Sequence, residues 1–336
     1  MNKYVLDVAA FAVAALTALY TTPQVRRLAL HIGLLDVTDE RRMHEEPKPR
    51  IGGIAVYLGF AFALFTTVGF ALRATTLFHS SEDIHNFLGL LFGGTLIMIF
   101  GVWDDVMGMR PRSKFIAQVA VACISMIYGF IIPGFELPFT HHYVNIHPLV
   151  GVPLTLVWYL GMMNAINFLD GLDGLLAGVT SISGFFLIII ALGHGHLVAA
   201  LVLSALVGAA IGFLPHNFNP AKIILGDTGS LFIGYVFATV SIIITAKVAV
   251  TVSLLIPLIA LALPVIDTAA VIFRRARSGR RISEGDRGHF HHLLVFNFGL
   301  NVRQAVLLIY GVCFLLGAIA YVISGGFTQQ FLTAGV

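Results

Sequence analysis

Long apolar runs, broken by short polar segments, set the pattern of this chain. Stretches of about 16 to 23 mostly apolar residues recur along its whole length, each long enough to cross ~30 Å of hydrocarbon as a helix. Ten are predicted, at roughly 4–21, 51–73, 88–103, 114–132, 149–166, 174–192, 196–214, 230–246, 251–272 and 304–324. The run at 88–103 is short, and 174–192 with 196–214 reads as a tight helical hairpin. The first run reads as a retained helix and not a removed signal. The predicted fold is an all-α polytopic integral membrane protein, one transmembrane domain over residues 1–336.

Ten spans sort the loops onto two sides. One side receives 22–50, 104–113, 167–173, 215–229 and 273–303; the other receives both termini, 74–87, 133–148 and two very short turns. Of the 20 Lys and Arg residues, counting Lys114 at the mouth of its helix, all but Lys3, Arg73 and Lys247 fall on the first side. The positive-inside rule makes that side cytoplasmic and puts both termini outside.

Composition agrees. With 58% apolar and 11% charged residues and a mean hydropathy of +0.91, a soluble domain is excluded. The net charge of +3 reflects basic loops that orient the chain and face anionic headgroups; nothing resembles a nucleic-acid footprint. Cys123 and Cys313 both fall inside predicted spans, so neither a disulfide framework nor a thiolate zinc site is implied.

The chemistry sits in the cytoplasmic loops. Asp104 and Asp105 end the third span. Adjacent carboxylates repel unless they share a cation or a proton, so the pair reads either as a solvated helix terminus or as a site for Mg²⁺ or a proton. Arg110, Arg112 and Lys114 follow, suited to phosphate. Asn164-Ala-Ile-Asn167-Phe-Leu-Asp170-Gly-Leu-Asp173-Gly174 joins the fifth and sixth spans. In helical geometry Asn167, Asp170 and Asp173 share one face. A plain turn accounts for the glycines but not for two Asn and two Asp. Asp227, in Gly226-Asp227-Thr228-Gly229-Ser230, reads equally well as a helix cap or as a functional acid beside an anion-binding N-terminus. Asp267 lies inside the ninth span, where an acid must face protein or water; it is read as functional or as an ion pair that shapes the arginine loop. In the last loop Arg274, Arg275 and Arg277 read as membrane anchors, while Arg280, Arg281 and Arg287 suit a diphosphate or sugar. His289-Phe290-His291-His292 closes it. With no thiolates and many hard carboxylates, Mg²⁺ or Mn²⁺ fits better than zinc, leaving the histidines as donors to phosphate or as structural partners.

Taken together, these blocks resemble the polyprenyl-phosphate N-acetylhexosamine-1-phosphate transferases, the MraY–WecA–TagO superfamily. The resemblance runs from Pro47-Lys-Pro-Arg-Ile-Gly52-Gly53 to the histidine cluster and rests on four blocks in family order: DD at 104–105, NxxDGxDG at 167–174, GDxGS at 226–230 and HxHH at 289–292. It implies transfer of a sugar-1-phosphate from a UDP-sugar to a polyprenyl phosphate, with release of UMP. It implies Asp227 as a direct Mg²⁺ ligand, with Asp105 near the metal. It implies Asp104 as the acid that deprotonates or orients the lipid phosphate. Asp173 matches a reader of the nucleotide base, supported by Asn167 and Asp170, and Asn217 matches a nucleotide contact. Lys48, Lys114, Arg280, Arg281, Arg287 and His289 are taken as substrate-binding, and His291 and His292 as stabilising the diphosphate. A homodimer is the family's usual form, although no helix offers a small-xxx-small face that would fix the interface.

One departure stands out. Three residues before Asp227, where the family commonly has a Phe to stack on uracil, this chain has Ile224, with Phe218 as the substitute aromatic. The run Asp286-Arg287-Gly288-His289-Phe290-His291-His292 is closer to D-[RK]-x-H-[IL]-HH, the form of the GlcNAc-1-phosphate branch, than to the three consecutive histidines of the phospho-MurNAc-pentapeptide branch. UDP-GlcNAc and undecaprenyl phosphate are therefore the expected substrates, with another UDP-HexNAc as the rival donor and a membrane transporter as the rival class. Transporter sites lie near the membrane midplane, whereas these ionisable residues gather at one interface. Direct attack by the lipid phosphate is preferred to an aspartyl-phosphate path. An apolar groove, lined by Phe and Leu and opening to the cytoplasmic cleft, is expected to admit the lipid.

Overall fold

The computed structural model describes residues 3–36, 47–74, 81–136, 143–246, 261–277 and 290–324. Its helices are α1 (Lys3–His31), α2 (Gly53–Ala74), α3 (Ser81–Met107), α4 (Pro111–Ile127), α5 (Pro148–Leu169), α6 (Leu175–Gly193), α7 (Leu197–Asn217), α8 (Gly226–Ala246), α9 (Ala262–Arg277), α10 (Phe290–Phe296) and α11 (Val302–Ile323). Among the described residues, eight helices are long and apolar enough to cross a membrane: α1, α2, α3, α5, α6, α7, α8 and α11. The fourth predicted span is α4, only 17 residues long. The ninth is described from Leu261 onward; residues 251–260 lie outside the described residues. The expected all-α polytopic architecture is borne out.

Two boundaries move in a way that matters. α1 does not stop near residue 21 but runs 29 residues to His31, with Pro23 inside it. α3 does not stop at 103; it carries Asp104 and Asp105 on its last turn, and ends only before Gly108, which adopts a φ of 69°. Hydropathy marks where a helix leaves the apolar layer, not where its hydrogen bonding stops, so polar turns are missed at both ends.

α8 forms the centre. Its span is 89% buried, against 28% for the peripheral α11. α3 and α5 pack along α8, while α7 lies against α1, α2 and α6. The α1–α7 contact is close because α7 presents glycines to it: a Cβ on Gly208 would stand 2.3 Å from the Phe11 carbonyl oxygen, and one on Gly212 2.1 Å from that of Ala15. Gly208-xxx-Gly212 is thus a small-xxx-small face after all, used within the chain. Side chains such as Leu16, Tyr20, Phe65 and Leu315 point outward and exposed, as lipid-facing residues do.

Short ladders complete the fold. β1 (Leu35–Asp36) pairs antiparallel with β2 (Lys48–Pro49), and β3 (Gly134–Glu136) with β4 (Tyr143–Asn145). The chain after β2 then runs beside the lead-in to α8. Ile224 N–H donates to the Pro49 carbonyl at 3.0 Å, Gly52 N–H to Ile224 at 2.9 Å and Gly53 N–H to Leu225 at 2.8 Å. A Cβ on Gly53 would lie 2.1 Å from the Gly229 nitrogen, so only glycine permits this crossing.

Candidate active site

The N-terminus of α8 is the point on which the acids converge. Asp105 commits its carboxylate there: Oδ1 accepts the Asp227 N–H at 2.9 Å, and Oδ2 accepts the Thr228 N–H at 2.8 Å and the Thr228 hydroxyl at 2.6 Å. Arg50 Nε also reaches Oδ1 at 2.9 Å, and the Asp105 side chain is 0% exposed. The first N–H groups of a helix lack partners and carry the positive end of its dipole. A buried carboxylate at this spot is compensated by four donors.

Asp227, on the first turn of α8, faces the opposite way. Its Oδ2 meets Lys114 Nζ at 2.9 Å and Arg50 at 3.2 Å, and its Oδ1 accepts from the Asn167 amide. Asn167 also donates to Ser230 Oγ at 2.7 Å, which ties α5 to α8. The same Lys114 ammonium lies 3.1 Å from Asp104 Oδ2, and Asp104 Oδ1 takes the Met109 N–H at 2.7 Å. Asp104 and Asp227 thus converge on one cation, while Asp105 does not.

Asp170 stands behind them in the α5–α6 turn, half-buried. Burial, followed by the negative charges of Asp227 and Asp105, pushes its carboxyl up to about 7, against the pull of Arg50 and the Gly226 N–H. Its carboxyl thus keeps a proton to higher pH than an ordinary aspartate, beside two carboxylates.

No cluster of three or more His, Cys, Asp or Glu able to hold a metal occurs among the described residues. Mg²⁺ does not need one, since it usually takes one or two carboxylates, waters and substrate phosphates. Asp104 and Asp227, already gathered around a cation, supply that kind of donor set.

Similarity to known proteins matches this geometry. The family model for glycosyl transferase family 4 matches residues 87–245. A probable undecaprenyl-phosphate N-acetylglucosaminyl 1-phosphate transferase of Bacillus subtilis is 34% identical over 96% of this chain and 86% of its own length. The chain belongs to glycosyl transferase family 4. A decaprenyl-phosphate N-acetylglucosaminephosphotransferase of Mycolicibacterium smegmatis is 32% identical over 88% of this chain and 77% of its own. A phospho-N-acetylmuramoyl-pentapeptide-transferase of Staphylococcus carnosus is more distant, 28% identical over 73% of this chain and 78% of its own. The resemblance drawn from the four motif blocks is borne out.

The other predicted residues of this family 4 chain take up distinct places. Asp173 is buried and held by three donors at one oxygen: Lys48 Nζ at 2.9 Å, the Asn219 amide at 3.1 Å and the Ala221 N–H at 2.9 Å. Asn217 is a bracket: it accepts the Gly174 N–H at 3.1 Å and donates to the Ile223 carbonyl at 3.0 Å. Phe218 packs over Gly174, where an added Cβ would lie 2.9 Å from its ring, so an aromatic face stands next to Asp173. Ile224 is half-buried, its backbone fixed by Pro49 and Gly52. Arg280, Arg281, Arg287 and His289 lie outside the described residues, as do the side chains of His291 and His292, which are the second and third residues of α10.

Sequence reasoning missed Arg50, Thr228 and Ser230 as site groups. Arg50 is one basic residue among many in a loop expected to be cytoplasmic, and its only local signal is its place in Pro47-Lys-Pro-Arg-Ile-Gly. An apolar groove of about 250 Å³ runs between α5 and α9, lined by Leu154, Val157, Trp158, Met162, Val265 and Thr268 among others. Its wall is largely aliphatic with one indole, and among the described residues no Phe lines it, unlike the Phe-lined groove expected. Asp267, the acid inside the ninth span, accepts the Phe290 N–H at 2.8 Å.

Proposed function

We propose that this chain transfers GlcNAc-1-phosphate from UDP-GlcNAc to undecaprenyl phosphate at the cytoplasmic face of the plasma membrane, releasing UMP and opening a lipid-linked route to a surface polysaccharide or teichoic acid. The observation that carries the reading is the convergence of Asp104 and Asp227 on Lys114, with Arg50 and Asn167 also held on Asp227, at the ends of membrane helices, close to α5, one wall of the apolar groove. The names of the N-acetylglucosamine relatives and the form of the histidine block favour that donor over a MurNAc-pentapeptide.

In this reaction an oxygen of the lipid phosphate attacks the phosphorus next to the sugar. The bond from that phosphorus to the bridging oxygen of the diphosphate breaks, and UMP leaves with the bridging oxygen. Phosphoryl transfer asks the protein chiefly for positioning and charge neutralisation. Mg²⁺, held by Asp227 with Asp104, supplies neutralisation of the diphosphate when bound. Asp105 keeps the first turn of α8, and so Asp227, in place. Asn167 fixes the rotamer of Asp227 from α5. Arg50 and Lys114 set positive charge beside the acids, where phosphoryl oxygens gather. Asp104 orients the attacking lipid phosphate, and the Lys48–Asp173 clamp holds the loop in which the base is read.

The test is UMP release from UDP-GlcNAc by purified protein, with undecaprenyl phosphate, with and without Mg²⁺. Release that needs both lipid and metal, and that Asp227→Ala abolishes, supports the reading. Turnover only with UDP-MurNAc-pentapeptide would refute the donor, and silence with every UDP-HexNAc would refute the transferase.

A further inference from the structure

The acid inside the ninth span has found a partner that the reaction does not yet use. Asp267 lies on α9, and its Oδ1 accepts the N–H of Phe290, the first residue of α10. α10 is the short helix on which His291 and His292 follow. An N–H on the first turn of a helix has no partner within the helix, and a carboxylate there also meets the positive end of the dipole. Asp267 therefore does for α10 what Asp105 does for α8. The rest of α10 is held by packing, with Leu294 buried in the core and Phe290 half-buried against it.

The same turn of α9 also walls the apolar groove, through Val265, Thr268 and Ala269. On the facing side Ala165 is the lining residue nearest the end of α5, about one turn before Leu169. One turn of α9 thus joins the groove to the histidine helix.

We propose that Asp267 is a positioning residue for the lipid acceptor: it fixes the start of the histidine helix on the same turn of α9 that walls the groove, where the phosphate of a polyprenyl chain enters. The proposal rests on the transferase reading, and its test separates the two. Amide hydrogen exchange of residues 290–292 is compared in wild type, Asp267→Asn and Asp267→Ala, without substrate. Asn caps about as well as Asp, whereas Ala cannot. Exchange is expected to quicken roughly fivefold in Asp267→Ala and to stay near wild type in Asp267→Asn. In UMP-release kinetics Asp267→Ala should raise KM for undecaprenyl phosphate about five- to tenfold, leave KM for UDP-GlcNAc within twofold, and be rescued by Asn. Should Ala fail to fold, Asp267→Ser keeps an acceptor on a shorter arm and is expected between the two. Unchanged exchange in Asp267→Ala, equal rises in both KM values, or equal damage by Asn and Ala would overturn the proposal. An inactive wild type with the expected exchange pattern would sink the transferase and leave the cap standing.

Discussion

Replacing Gly101 by Ala alters no charge and no hydrogen-bond donor, yet it is expected to disable the site. Gly101 lies one turn before Asp104 on α3 and faces the first turn of α8. A Cβ there would stand 2.5 Å from Thr228 Cα and 2.8 Å from the Asp227 carbonyl oxygen. Both are backbone atoms that no change of rotamer can move away. Ordinary contact begins at 3.4 Å, so α3 and α8 must part by about 0.9 Å. The Asp105 bonds to Thr228, now 2.6 and 2.8 Å, would open to about 3.5 and about 3.7 Å, at and beyond the edge of useful hydrogen bonding. Asp104 would move away from Asp227 with them. Overpacking of this kind costs about 1–3 kcal/mol of stability, while a misplacement of ~1 Å at a reacting centre can cost ~100-fold in rate. The assay is kcat/KM for UMP release beside a melting curve in detergent. Gly101→Ala should lose about 100-fold in kcat/KM while still melting cooperatively. Gly311→Ala is the control, since nothing lies within 4 Å of its added Cβ, and it should match wild type. A Gly101→Ala enzyme within threefold of wild type would show that the site tolerates the displacement and that the geometric argument is wrong.

Asp170→Asn carries a pH signature. A carboxyl raised to about 7 holds its proton more tightly folded than unfolded, so its contribution to stability is full below about 3.8 and is lost as pH climbs through about 7. The interval sets an upper bound of about 4 kcal/mol, reduced because Asp170 is only half-buried. Metal-free Asp170→Asn should melt higher than wild type at pH 8 and not at pH 4; a constant difference at both would count against the assignment. Lys48→Met removes one of the three donors to Asp173 and should cost about 1–3 kcal/mol, with a larger rise in KM for UDP-GlcNAc than for the lipid. An unchanged donor KM would detach that clamp from nucleotide binding. Chelation with EDTA should stop turnover and re-addition of Mg²⁺ restore it, with melting shifted upward by the metal as for any ligand of the folded state.

Local pattern determined a good deal. Runs of apolar residues long enough to cross a bilayer can only be helices, because backbone polar groups find no water there. The spans, the gathering of Asp104, Asp105, Asp170, Asp173 and Asp227 at one side, and the family were therefore legible from the chain alone. What each acid does was not. Asp104 and Asp105 are neighbours of one kind, yet one faces Lys114 and the other caps α8, because a helix turns about 100° per residue and α8 lies on only one side. Arg50 was indistinguishable from the basic residues that any cytoplasmic loop carries until the β2 segment brought it between Asp105 and Asp227. Asp267 could be read only as functional or as an ion pair until α10 presented a backbone N–H to it. Gly208 and Gly212 read as part of one more apolar helix until α1 came within reach. Hydropathy and spacing are properties of a single segment, whereas partners, and with them charge compensation and role, exist only once segments distant in sequence are packed together.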